Sequence, residues 1–179
     1  TELICYVLSE AAHGLDYAHN FYDENTNKSL NIVHRDVSHH NILISYDGAI
    51  KLVDFGVAKI NAAGVKQTQH GELKGKFAYM SPEQAKGKDL DRRSDLFSLG
   101  ILLWELLAGQ KLFYDENVVL TLDSVRQCKV PKISEIEPNL SPELVRIVTK
   151  SLQFEREDRY QTATEFSGDM LNFLHTNYP

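Results

Sequence analysis

Residues 95–108, "DLFSLGILLWELLA", are apolar on nearly every side. A helix with one apolar stripe can lie on a surface, but a helix that is apolar all round must be surrounded. The longest apolar run inside it, "LGILLWELLAG" at 99–109, contains Glu105 and is too short to span a bilayer. It therefore reads as the central helix of a core, and the other elements have to be wrapped around it. A chain of 179 residues is long enough to do that in one domain.

The flanking elements follow from pattern. Residues 1–20 carry apolar side chains at 3, 4, 7, 8, 11, 12 and 15, which is the helical period. Residues 21–31, "FYDENTNKSLN", are polar and read as a surface loop in preference to a docking site. "NILIS" and "AIKLV" flank "YDG", which predicts a β-hairpin turning at Asp47-Gly48. Residues 57–80 show no clear period and read as a long loop, a kind that is usually functional or disordered. Helix begins again at about Asp95. Ser141-Pro142-Glu143 marks a helix start, with Ser as N-cap and Pro at the first position. Thr162-x-x-Glu165 predicts a capping box on the last helix.

Composition narrows the function. The net charge is −6 and no Lys/Arg run stands against it, which argues against nucleic-acid binding. Cys5 and Cys128 lie far apart in no metal-ligand spacing, as expected of free thiols in a reducing compartment. The chain begins on Thr1 inside a helical pattern, so the expectation is a fragment of a longer protein.

The chemistry concentrates in "IVHRDVSHHNILI" (32–44) and in "DFG" ten residues further on. Phosphoryl transfer needs a carboxylate to orient a hydroxyl and hard oxygen donors for Mg²⁺. Asp36, Asn41 and Asp54 supply that set, and the hairpin between Asn41 and Asp54 can fold them back to one place. Each taken singly is an ordinary turn former. The adjacent His39 and His40 could suggest a metal, but paired histidines in a loop are usually not ligands.

"HRDVSHHN", "DFG", "SPE" (81–83), "RSDLFSLG" (93–100) and "DRY" (158–160), in that order, resemble the larger, C-terminal lobe of a eukaryotic-like protein kinase. The phrasing of "KGKFAYMSPEQ" and "RYQTATEF" is similar to bacterial serine/threonine kinases. The resemblance covers essentially the whole chain. It implies an α+β, mainly α-helical fold: a kinase-like large lobe, 1–179, with a small hairpin beside the catalytic loop. Within it fall the catalytic loop at 34–41, DFG at 54–56, the activation segment at 54–83 and a helical subdomain at 84–179.

It also implies roles. Asp36 would accept or orient the substrate hydroxyl; Asn41 and Asp54 would hold Mg²⁺, with Mn²⁺ as an alternative, against ATP. Leu43 would pack under the adenine, with Ile42 and Ile44 behind it. His34 and Phe55 would stack as part of the regulatory spine. Asp95 would accept backbone N–H groups of the catalytic loop. Glu83 and Arg159 would pair to anchor the activation segment. Thr68, the only hydroxyl residue between Gly56 and Tyr79, would be a phosphosite read by Arg35 and Lys59.

Two departures stand out. The family usually has Lys two residues after the catalytic Asp and Thr in the segment before "PE"; here these positions hold Ser38 and Lys76. The exchange implies that Lys76 reaches back to Asp36, with Ser38 as its hydrogen-bond partner. The second departure is the smaller N-terminal lobe: neither G-x-G-x-x-G nor V-A-I-K occurs. The chain alone is then expected to bind ATP poorly, to turn over little if at all, and to expose apolar surface near Leu43 and Phe55.

The expected function is protein serine/threonine phosphorylation, with ATP, protein substrates and the missing lobe as partners. No nucleic acid or membrane contact is expected of this chain, and the location is cytoplasmic, with any tether outside it. The rivals are a kinase-like regulatory module without catalysis and a small-molecule phosphotransferase. Retention of Asp36, Asn41 and Asp54 argues against the first, and "SPE" with "SDLFSLG" against the second. Tyrosine specificity fits the pattern around "FAYMSPE" less well.

Overall fold

The computed structural model describes residues 1–55 and 75–178. Its elements in order are α1 (Glu2–His19), β1 (Tyr22–Asp23), β2 (Lys28–Ser29), β3 (Ile42–Ile44), β4 (Ile50–Leu52), α2 (Pro82–Ala85), α3 (Arg92–Ala108), α4 (Val118–Gln127), α5 (Ile133–Ile136), α6 (Pro142–Ser151) and α7 (Ala163–Asn177). The described residues are mainly helical, with two small antiparallel hairpins.

Helix α3 is the centre. Every residue from Ser94 to Glu105 is buried. It starts slightly before the apolar run because the Asp91 carboxylate caps it, accepting the Arg93 N–H at 2.9 Å. It stops where Gly109 turns left-handed at φ 65° and its N–H bonds back to Glu105 O at 2.9 Å. At Gly100 the chain needs the absence of a side chain. A Cβ there would stand 2.6 Å from the Ser151 Cβ of α6.

Helix α1 packs against α3 and α7. Its buried stripe is Cys5, Leu8, Ala11, Ala12 and Leu15, continuing to Ala18 and His19. Leu3, which the period assigns to the same face, is 70% exposed. Ile4 and Cys5 of the same turn pack into the core, whereas Leu3 lies on the flank of the helix away from Leu8 and Ala12. Hairpin β3–β4 has the register Ile42↔Leu52, Leu43↔Lys51 and Ile44↔Ile50. Its turn closes by Gly48 N–H to Ser45 O at 3.0 Å, with Gly48 at φ 86°. Leu52 seats the hairpin on α1, its Cδ1 lying 3.4 Å from where a Gly14 Cβ would be.

Residues 21–31 do not form a plain loop. Tyr22 pairs with Ser29 and Asp23 with Lys28 in a two-rung ladder. The Asp23 side chain closes the turn by accepting the Asn25 N–H at 2.9 Å and the Thr26 hydroxyl at 2.7 Å. On α6, Ser141 Oγ accepts the Leu144 N–H at 3.2 Å. On α7, Thr162 Oγ1 accepts the Glu165 N–H at 3.1 Å. The return bond differs from a strict capping box: Glu165 Oε2 takes the Gln161 N–H at 3.1 Å, one residue before the cap.

Candidate active site

The catalytic-loop segment hangs from one buried carboxylate. Asp95, in the first turn of α3, accepts the His34 N–H on Oδ2 and the Arg35 N–H on Oδ1, both at 2.8 Å. The His19 ring donates from Nε2 to Oδ2, also at 2.8 Å. A buried charge is tolerable only when its lone pairs are used, and here three donors converge on it.

The same loop uses both nitrogens of His34. Nε2 lies 3.0 Å from Val53 O, which can only accept, so Nε2 carries the proton. Nδ1 is then the acceptor for the Asp36 N–H at 3.3 Å. That is a neutral ring. Burial lowers the His34 pKa below its ordinary 6.5, against the opposing pull of the Asp95 charge. The His34 and Phe55 rings lie 4.3 Å apart, centroid to centroid, tilted by 41°. Arg35 and Asp54 both have left-handed backbones, φ 66° and 59°. Such conformations in non-glycine residues store strain, and they concentrate where function overrides comfort.

Asn41 is buried and donates from Nδ2 to Asp36 O at 2.7 Å. The bond uses the amide nitrogen, so the end left to ligate a cation is the carbonyl oxygen. Asp54 is exposed at the end of the strand β4 leads into, its carboxylate being the second hard oxygen donor. The chemistry of this pair fits Mg²⁺. Leu43 is 52% exposed on β3; Ile42 packs against the core, whereas Ile44 is 59% exposed.

The Lys76 ammonium lies 2.8 Å from Asp36 Oδ2. The Ser38 hydroxyl, expected to receive a bond from Lys76, is buried and has no partner among the described residues. Lys76 lies in a helical turn, with Tyr79 N–H bonding to Lys76 O at 3.2 Å. Thr68, Lys59 and Gly56 lie outside the described residues. The Arg35 Nε is buried without a hydrogen-bond partner among the described residues.

Glu83 and Arg159 form a two-pronged pair, Nη1 to Oε1 at 2.8 Å and Nη2 to Oε2 at 3.0 Å. Ser94 Oγ donates to Oε1 at 2.7 Å. The rest of the guanidinium is used by Gln153 O at 2.7 Å and Phe154 O at 2.8 Å, and its plane covers the Phe97 ring. Burial alone would raise the Glu83 pKa, but the Arg159 hydrogen bonds and charge outweigh it and hold the carboxyl below its ordinary value.

Three links escaped the sequence reading. His19 shares Asp95, 76 residues away. Gln84 Nε2 donates to Arg35 O at 2.8 Å, tying the segment after "SPE" to the loop. Tyr79 joins the loop to α3: its hydroxyl donates to Glu105 Oε2 at 2.8 Å and meets His39 Nδ1 at 2.8 Å and the Lys111 ammonium. Burial first, then the Glu105 charge, drives the Tyr79 pKa far above its ordinary value. His39 is thus occupied with Tyr79, and its ring lies 3.9 Å from that of His40.

Residues 4–170 match the protein kinase domain. The chain belongs to the protein kinase domain family. It is 43% identical over 168 residues to the tyrosine-protein kinase MasK of Myxococcus xanthus, covering 94% of this chain and 26% of that protein. It is 38% identical over 175 residues to the serine/threonine-protein kinase PknB of Mycobacterium tuberculosis, covering 97% of this chain and 26% of that protein. To PknB of Mycobacterium leprae it is 36% identical over 174 residues, with 97% and 26% covered. The chain thus spans about a quarter of the length of these relatives. It is a partial kinase domain, of the bacterial type and like the C-terminal lobe.

Proposed function

We propose that this chain is the catalytic lobe of a protein serine/threonine kinase that moves the γ-phosphoryl group of ATP to protein hydroxyls. The observation that carries the reading is the loop itself: Asp36 and Asn41 are bonded together at 2.7 Å on a segment suspended from Asp95. Asp36 receives the hydroxyl proton and aims the oxygen. Asn41 and Asp54 would hold Mg²⁺, which would supply charge neutralisation at the phosphates. Leu43 offers an apolar surface to the adenine, and the smaller lobe, as a partner, covers it. Unpaired Cys5 and Cys128 support a reducing, cytoplasmic setting.

The relatives named PknB support serine/threonine transfer. A second reading, tyrosine transfer, is favoured by the 43% identity to a protein named as a tyrosine kinase. Acid hydrolysis of labelled product separates them: phosphoserine and phosphothreonine are expected, and phosphotyrosine alone would replace the first reading by the second. The 179-residue chain without the smaller lobe is expected to transfer no measurable phosphate. In the full-length protein Asp54→Asn is expected to cost several kcal/mol of transition-state stabilisation, read as lost Mg²⁺-dependent turnover. Phosphorylation of Thr68, paired with Arg35 and Lys59, is expected in the active protein; unmodified Thr68 by mass spectrometry, with Thr68→Ala fully active, would remove that step.

A further inference from the structure

We propose that Lys76 is a catalytic residue: its ammonium, brought from the segment before "SPE", stands beside Asp36 and supplies the positive charge that Ser38, two residues after Asp36, does not bring. The inference rests on the kinase reading above and adds which side chain stabilises the transferring group. The loop from His34 to Asn41 contains one carboxylate, Asp36, and the position two residues after it is Ser38, which brings no charge and whose buried hydroxyl meets no partner among the described residues. The Lys76 ammonium stands 2.8 Å from Asp36 Oδ2, with one third of the side chain exposed against one tenth of Asp36. Solvent therefore reaches the lysine more than the carboxylate.

Lys76 is held from behind. Three residues on, the Tyr79 carbonyl accepts the Ser98 hydroxyl of α3 at 2.8 Å, and the Tyr79 phenol is bound to Glu105. The next segment is tied to the loop through Gln84 and Arg35 O. A lysine on this footing presents a compact point charge at the end of a long stem. In the transfer step the substrate oxygen forms a bond to Pγ while the bond from Pγ to the β-bridging oxygen breaks, its electron pair leaving with ADP. The hydroxyl proton passes to Asp36. Negative charge on the equatorial oxygens grows beside the Asp36–Lys76 pair, where a fixed cation favours it. The carboxylate and the cation thus come from two separate stretches of chain, and seating the second against the first completes the site.

The test uses the full-length protein with ATP, Mg²⁺ and a generic Ser/Thr peptide. Lys76→Met keeps the stem and removes the charge; it is expected to lower kcat by about 10²-fold, with the KM for ATP and peptide changed by no more than about twofold. Lys76→Arg is expected to retain a large part of the rate. Ser38→Lys combined with Lys76→Thr is expected to recover about tenfold or more over Lys76→Met. A Lys76→Met enzyme with unchanged kcat, or altered only in KM for acidic peptides, would overturn the proposal. So would one that is faster, since Lys76 would then be a lock on Asp36. A folded double variant no better than Lys76→Met also overturns the exchange; if its thermal melt shows that it does not fold, the contrast of Met with Arg decides. An inactive wild-type protein defeats the kinase reading itself, whereas an active wild type with an unaffected Lys76→Met defeats only this inference.

Discussion

Among the described residues, two lysine- or arginine-to-carboxylate pairs join the stretch around "SPE" to another part of the chain, and they are built differently. Arg159 and Glu83 are 0% and 6% exposed, and neighbouring carbonyls and Ser94 take up the donors and lone pairs that the pair leaves over. Lys76 and Asp36 are 32% and 11% exposed, and meet through one contact of 2.8 Å. A pair that is fully enclosed and fully bonded serves as an anchor. A pair that stays partly exposed can be reached from solvent, which is what a site for chemistry requires. Burial decides which of the two a given ion pair becomes.

The sharpest way to break this comparison is to cut each pair and measure denaturant midpoints. Arg159→Ala leaves Glu83 buried and unpaired, and is expected to destabilise the fold by about 3–5 kcal/mol. Lys76→Met, at a partly solvated pair, is expected to cost less than about 1 kcal/mol. Equal losses from the two would mean that both are anchors. A smaller effect is expected at the bridge between them. Tyr79→Phe removes the hydroxyl shared by Glu105, His39 and Lys111, and is expected to cost about 1–3 kcal/mol. A loss below that range would show that Lys111 and the Leu112 N–H suffice for Glu105.

The smallest effect concerns pH. The His34 pKa is lowered in the folded chain, so as pH falls below 6.5 the unfolded chain takes up a proton that the folded one refuses. Stability should therefore fall as pH drops through that window and level off below the depressed folded value. His39 is lowered too, chiefly by burial, and adds a step of the same sign. The part belonging to His34 is the part that His34→Gln removes. Melting curves of the two proteins across this range check it, and an unchanged profile in the variant would mean that the folded chain protonates His34 as readily as the unfolded one.

What could be read beforehand was what is local or periodic. The all-round apolar character of 95–108 demanded a central helix, and α3 is that helix. Ser141 and Thr162 cap their helices because a cap needs only a residue three positions away. Hairpin β3–β4 was legible from Asp47-Gly48 between apolar runs. The two-rung hairpin in 21–31 was not, since two-residue strands carry no pattern and a side chain, Asp23, makes the turn. Leu3 was misplaced because it lies on the flank of the helix, off the face that Cys5, Leu8 and Ala12 bury. In the site, the resemblance to the kinase family named Asp36, Asn41, Asp54 and Asp95, and the departure at Ser38 and Lys76 pointed to the contact with Asp36. It did not foresee that Ser38 would be left out of that contact. His19, Gln84 and the Tyr79–Glu105–Lys111 group stayed hidden because their partners are distant in sequence and ordinary in type.

Asp95 also sets an order of events during synthesis. The two backbone N–H groups it holds belong to His34 and Arg35, which precede it by 61 and 60 residues. A chain emerging from the ribosome releases its catalytic loop long before the carboxylate that shapes it. Arg159 follows Glu83 by a further 76 residues. Contacts this far apart form late, because the intervening loop must close before they contribute. A nascent chain stopped short of α3 therefore carries the residues of the loop without the carboxylate that shapes it.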